Sequence, residues 1–290
     1  MARNERLDVR KTYKLFIGGQ FPRTESGRFY PVYSAGGETL LANASRGSRK
    51  DVRNAVAAAR KAFPGWRDRT AYNRGQILYR MAEMCESRFA ELQDELEKTG
   101  MKSSEAEREV AGTVDRLVYY AGWADKIAQL YGSVNPVAGP YYNFSNPEPT
   151  GVVGIFAPEE SALLGLVSRI APAIVPGNTV VVLTSESKPL PAITLAEIIA
   201  TSDVPGGVVN LITGLKEELA SWLASHMDVN AIDVTGLAEE LASKAAAAAA
   251  DNVKRVIRSE IEDWTSERAQ SPYAVQDFLE IKTVWHPVGG

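Results

Sequence analysis

The sequence predicts an α/β fold built on a parallel sheet that is buried on both faces. Three β-branched runs, at 152–156, 179–183 and 208–212, are separated by two helical patterns. The first of these, 162–175, is apolar nearly all round, and the second, 191–201, repeats Ile193, Ala196, Ile198 and Ile199 at helical spacing. Strand, helix and strand at this pace require crossover connections, and unbroken apolar strands mark a sheet covered on both sides. Such sheets bind ligands beyond the carboxyl ends of their strands. The loops 157–161, 184–188 and 213–216 are therefore where function is to be sought.

Composition narrows the classes. A chain of 290 residues, 45% hydrophobic and 23% charged, suffices for one or two ordinary globular domains. A net charge of −4 with no stripe of arginine or lysine argues against nucleic acid. No apolar run approaches the ~20 residues that a membrane helix needs. The opening MARNERLDVRK is charged, with no apolar stretch after it, so no signal peptide is expected. One cysteine leaves no internal disulfide and fits a cytoplasmic protein.

Residues 1–12 read as a polar lead, and 14–21 as a hairpin turning at Gly18-Gly19. Extended, Gly-punctuated chain follows at 29–46. Asp51 is placed as the cap of a helix with Val52, Ala55, Val56, Ala59 and Phe63 on one face, ended by Pro64-Gly65. A single longer helix is expected over 72–98, with Ile77, Leu78, Met81, Met84, Cys85, Phe89 and Leu92 as its buried stripe. Ser104 and Glu107 suggest a capping box that opens a third helix running to about Tyr131. Segment 133–147 reads as two short strands about a Gly139-Pro140 turn, carrying Tyr141, Tyr142 and Phe144. Later come a strand at 229–234, a helix at 237–249 with its alanine run, and a strand at 253–257. A polar bridge, 260–272, then leads to 278–285, which alternates as an exposed strand.

The phrases EP-x-GVVG-I, IAPA-x-x-x-GNTVV and PL-x-A-x-x-LAE-I-I…PGGVVN-x-ITG, in this order, resemble the aldehyde dehydrogenase superfamily over its coenzyme-binding half. The hairpin at 14–21 and the closing FLEIKTVW are similar to that family as well. The resemblance spans 14–259 and 273–288. Between them, where the family continues into a catalytic domain, stand only residues 260–272. The resemblance thus implies a Rossmann-like parallel sheet of the aldehyde dehydrogenase type with N-terminal helices and a β-hairpin oligomerisation arm. A degenerate coenzyme-binding domain would comprise 1–132 and 148–259, the arm 133–147 and 273–290, and the bridge 260–272. The whole looks like a truncated, non-catalytic member, similar to the shortened second copy of two-copy aldehyde dehydrogenases.

The family's chemistry needs a cysteine nucleophile, an oxyanion-binding asparagine and a glutamate base. Cys85 lies in the apolar stripe of a helix and reads as a core residue. The family's P-W-N is here Pro158-Glu159-Glu160, and an ionised carboxylate cannot donate to an oxyanion. Both glutamates read as acidic residues at a helix start, where the dipole favours them. The family's K-P-x-E becomes Leu183-Thr184-Ser185-Glu186; without the lysine, Glu186 is left to meet a ribose hydroxyl or to lie solvated. Of the two glycines of F-T-G-S-x-x-x-G only the first, Gly236, survives, and Glu239 and Glu240 bring negative charge where a phosphate would dock. L-E-L-G-G-K is replaced by 258–262 without Gly-Gly; Glu260 could come within a residue of register, but no catalytic domain would face it. His226 and His286 stand far apart without metal-ligand partners.

No catalytic residue and no metal site is therefore expected, and Glu186 and Gly236 are the vestigial cofactor contacts. No cofactor is expected either, with NAD or NADP bound at most weakly. The implied role is that of a non-catalytic subunit, structural or regulatory, in a complex with a full-length aldehyde dehydrogenase. An NAD(P)-dependent dehydrogenase subunit and a nucleotide-sensing module using Glu186 and 213–216 are the alternatives. The partner, a full-length subunit or a second copy, would be met through Phe278, Ile281, Val284 and Trp285. Alone, the chain is expected to aggregate or to dimerise through another face.

Overall fold

The computed structural model describes residues 11–289; the polar lead expected at 1–12 lies mostly outside them. The expected hairpin is present. Ile17 and Gln20 exchange both backbone hydrogen bonds, at 3.0 and 3.1 Å, across Gly18 and Gly19. Those glycines have φ of 63° and 79°, which a two-residue turn of this hand requires. Phe16 bridges Leu211, docking the hairpin on the edge of the main sheet. Strands β1 (Phe29–Tyr33) and β2 (Leu40–Ser45) then pair antiparallel.

The helices depart from expectation at their ends. Helix α1 (Arg49–Arg67) is capped by Ser48, not Asp51. Asp51 sits three residues in, and its carboxylate returns to the Ser48 N–H at 2.8 Å, closing a capping box. Pro64 lies inside the last turn, where the helix survives because buried Trp66 pins it, donating to the Ile174 carbonyl at 2.9 Å. The single helix expected at 72–98 is two, α2 (Ala71–Ser87) and α3 (Phe89–Lys98). The break at Arg88 lets its guanidinium reach both Glu91 and Glu197 while Leu92 and Leu96 turn inward. Helix α4 (Ser103–Trp123) starts without a side-chain cap, because Ser104 is already helical. It stops short of Tyr131: a tight turn buries Ala124 before α5 (Ile127–Tyr131), close to Gly75, where Ala121 and Ala124 leave no room for a side chain.

Next come β3 (Ser133–Asn135) and β4 (Tyr141–Pro149), then the alternating segment: β5 (Val152–Phe156), α6 (Leu164–Ile174), β6 (Thr179–Leu183), α7 (Leu190–Ala200) and β7 (Val209–Ile212). Helix α8 (Lys216–Ala224), which the sequence reading left unassigned, precedes β8 (Ala231–Asp233), α9 (Glu239–Ala249) and β9 (Arg255–Ile257). The five strands form one parallel sheet in the order β7-β6-β5-β8-β9, as the α/β pattern predicts. Because successive strand residues face opposite ways, Val153, Ile155, Val180 and Val182 meet α2, α4, α6 and α7 on one side. Val152, Phe156, Val181 and Leu183 meet α1, α8 and α9 on the other.

The segment 260–272 is packed as well as connecting. Trp264 and Ala269 are buried against Leu164. Buried Arg116 of α4 donates to the carbonyls of Trp264 and Ala269 at 2.9 and 2.6 Å, satisfying chain that has no ladder of its own. After α10 (Tyr273–Gln276), β10 (Leu279–Pro287) joins β4 and β3 in a three-stranded antiparallel sheet, order β10-β4-β3. The exposed strand expected from 278 starts later. Phe278 is fully buried, with Arg169 over its ring at 5.4 Å and Asn178 donating to its carbonyl at 3.0 Å. Ile281, Val284 and Trp285 are exposed.

Candidate functional site: a crevice closed by a lysine

From β5 the chain adds β6 and β7 on one side, then crosses back to add β8 and β9 on the other. The order thus reverses between β5 and β8, and the crevice beyond their carboxyl ends is where an open α/β sheet takes a ligand. The structure places Glu186 and Gly236 there, together with Ser185, Ser187 and Lys216 of the loops 184–188 and 213–216, and Tyr30 of β1, to which nothing in the sequence points.

Lys216 opens α8, and its side chain is 6% exposed. Its ammonium donates to the Ala157 carbonyl just past β5, at 2.6 Å, and to the Gly236 carbonyl past β8, at 2.9 Å. It also pairs with the Glu159 carboxylate. One side chain therefore ties the two strand ends together across the reversal.

Glu159 does not serve the start of α6 as expected. That helix begins only at Leu164, and Glu159 turns instead to the loop after β6. Its carboxylate accepts from the Ser185 hydroxyl at 2.7 Å, the Ser187 hydroxyl at 3.0 Å and the Glu186 N–H at 3.0 Å. Burial alone would raise its pKa, but the Lys216 charge and these donors outweigh it and hold the carboxyl below its ordinary range. The start of α6 is served from another helix: buried Glu109 of α4 accepts from Ser161 Oγ at 3.1 Å and from the N–H groups of Leu163 and Leu164 at 3.0 and 3.2 Å. Glu160 likewise leaves the helix start and accepts from the Trp264 indole at 3.1 Å.

Glu186 is half-buried, not solvated, and accepts from the backbone N–H of Lys216. Gly236 is explained by close approach: a Cβ there would lie 2.0 Å from the Ala157 carbonyl oxygen. The Tyr30 hydroxyl is buried without a partner among the described residues. Its burial, with Glu186 and Glu159 nearby, pushes its pKa far up. Glu239 and Glu240 occupy the first turn of α9, paired with Arg258 and Lys244. Leu183 points into the core.

A dinucleotide asks this crevice for free N–H groups to its pyrophosphate and for open partners to its ribose hydroxyls. Here the carbonyls and carboxylates converge on a resident ammonium, and the α9 turn carries two glutamates. The residues present do not fit the group. Expelling the ammonium would leave the Ala157 and Gly236 carbonyls without their donor, at about 1–3 kcal/mol for each.

The other candidates are dispersed. Cys85 is fully buried in α2, and burial pushes its thiol up to about 12, far from a reactive thiolate. No group of histidine, cysteine, aspartate and glutamate able to hold a metal occurs among the described residues, and no helix there is long and apolar enough to cross a membrane.

Residues 21–259 match the model of the aldehyde dehydrogenase family. Human aldehyde dehydrogenase 1A1 is 36% identical over 248 residues, covering 84% of this chain and 49% of that protein. A putative aldehyde dehydrogenase from Burkholderia cenocepacia superposes with a TM-score of 0.80 at 31% identity, over 84% of this chain and 50% of that one. An aldehyde dehydrogenase from Bacillus cereus, solved as its NAD+ complex, gives 0.80 at 28%, over 85% and 50%. The chain spans about half the length of these relatives. Sequence and sheet order agree over that half: the chain belongs to the aldehyde dehydrogenase family.

Proposed function

We propose that this chain is a non-catalytic member of its family, a structural or regulatory subunit that acts with a full-length aldehyde dehydrogenase. The observation that carries the reading is Lys216, whose ammonium fills the crevice between β5 and β8 where a coenzyme would lie. The burial of Cys85, the one cysteine of these 290 residues, supports it. The strand β10, with Ile281, Val284 and Trp285 exposed, supports a docking role. A full-length family member is the partner class proposed for it, by main-chain pairing along the strand.

Two assays test this. The purified chain, given aldehyde and NAD or NADP, is expected to form no reduced coenzyme. Turnover by the purified chain, whether Cys85→Ala keeps or abolishes it, would overturn the non-catalytic reading. Co-expression with a full-length family member is expected to yield a stable hetero-oligomer. Its failure to form with any family member from the same cell would remove the proposed role.

A further inference from the structure

The outer edge of β10 can be read residue by residue. Residues of β10 and β4 pair in one unbroken register, Leu279 opposite Pro149 through Pro287 opposite Tyr141. Thr150 donates to the Phe278 carbonyl and Val288 to the Pro140 carbonyl, at 3.2 and 2.9 Å. Even-numbered residues of β10 therefore face β4, and odd-numbered ones direct their N–H and C=O groups outward. On that outer side Arg255 covers the start of the edge, donating to the carbonyls of Asp277 and Leu279. Pro287, which has no N–H, closes the other end. Ile281, Thr283 and Trp285 remain, with no partner for their main-chain groups among the described residues. The strand's one lysine, Lys282, is paired with Glu148 of β4. At the far end of β4, Pro147 and Pro149 offer no donors beyond the short β3.

We infer that this edge is a self-complementary surface whose occupant in the isolated protein is a second copy of the same strand. Antiparallel pairing about a two-fold axis at Thr283 sets Ile281 opposite the partner's Trp285 and Thr283 opposite itself. In this register every open N–H and C=O of the three residues finds a partner. Moving the axis to Lys282 sets Trp285 opposite Leu279, whose carbonyl Arg255 already holds. Moving it to Val284 sets Ile281 opposite Pro287, which cannot donate. The capped and blunted ends thus select one register from its neighbours. In it, Ile281 and Trp285, 48% and 59% exposed, cover each other across the seam. The symmetry is that of a closed two-fold dimer, which consumes both edges and leaves no template for a fibre.

This surface is the one proposed above for a full-length partner, which would have to displace the second copy. The inference does not depend on how the crevice reads, because it rests on the edge alone. The test is a cysteine scan of the full chain, oxidised mildly and separated without reductant, with the unmodified chain and its buried Cys85 as blank. Opposed residues at such a position lie about 5.5 Å apart between Cα atoms, within disulfide reach. Thr283→Cys is expected to become mostly disulfide dimer, while Lys282→Cys and Val284→Cys, which do not face themselves, stay mostly monomeric on the gel. Thr283→Pro, which removes the outward N–H and, within the arm, the hydroxyl contact to Ser145, should dissociate the dimer in sedimentation while the melting temperature of the main body is kept; Thr283→Val, which loses that hydroxyl but keeps the N–H, should stay dimeric. Equal cross-linking at 282, 283 and 284, or a monodisperse monomer at tens of micromolar, overturns the inference. Whether nucleotide binds is read independently, so the two readings fail separately.

Discussion

Lys216 and Glu159 show how a residue can change meaning between sequence and structure. Glu159 was legible as a departure from its family, but its partner lies 57 positions away. Nothing local announces that a lysine at the first turn of α8 reaches across to β5. The pair makes a pH prediction. A carboxyl whose folded pKa lies below its unfolded value contributes stability that is fully present above the unfolded value, near 4.5, and is lost as pH falls through the folded one. Glu159→Gln should therefore melt lower than the parent near neutrality, and the gap should close as the pH drops below about 4.5. A gap that is constant with pH would mean that the ion pair contributes nothing. Gly236 is the converse: its sequence context marks it as a vestige of phosphate binding, and its place is explained by the carbonyl it packs against.

At the scale of elements, the strands were the most legible because their apolar runs are continuous and bounded by turn residues. Helix ends were least legible, since caps and breaks are decided by distant partners. The start of α6 is held by Glu109 of α4, and the break at Arg88 by Glu197 of α7. Helix α8 is announced only by Leu219, Ala220 and Leu223, all buried, too short a stripe in nine residues to separate a helix from the loop before it. The segment 260–272 was read as polar from its composition, although two of its residues anchor it. Arg116→Met is expected to destabilise the protein by about 3 kcal/mol in urea denaturation, since it strands the carbonyls of Trp264 and Ala269. Hydrogen exchange should rise first in 260–272, and a uniform rise would contradict that assignment. The chain past α9 carries a strain that can be relieved. Val253 has φ of 56° and is 91% exposed, in a conformation that suits glycine. Val253→Gly should raise stability by about 1 kcal/mol, measured the same way. A loss would show that the unfolded-state entropy of glycine outweighs the strain.

Across the whole molecule, the fold was legible because a long, ordered set of phrases matched one family, and the five-stranded order follows from the crossovers. What the molecule does was less legible, because losses of family residues say only what has gone. The structure adds what has come in their place: a resident ammonium, three helices reaching into loops not their own, and an arm whose outer strand is open. These are the observations on which the proposed non-catalytic role rests. The most direct measurement is calorimetric titration of NAD into the unmodified chain and into Lys216→Gly combined with Glu159→Asn. The unmodified chain should bind no better than millimolar, about −4 kcal/mol, and the double variant at least ten times more tightly. Micromolar binding by the unmodified chain, with Lys216 in place, would contradict the claim that this lysine closes the crevice.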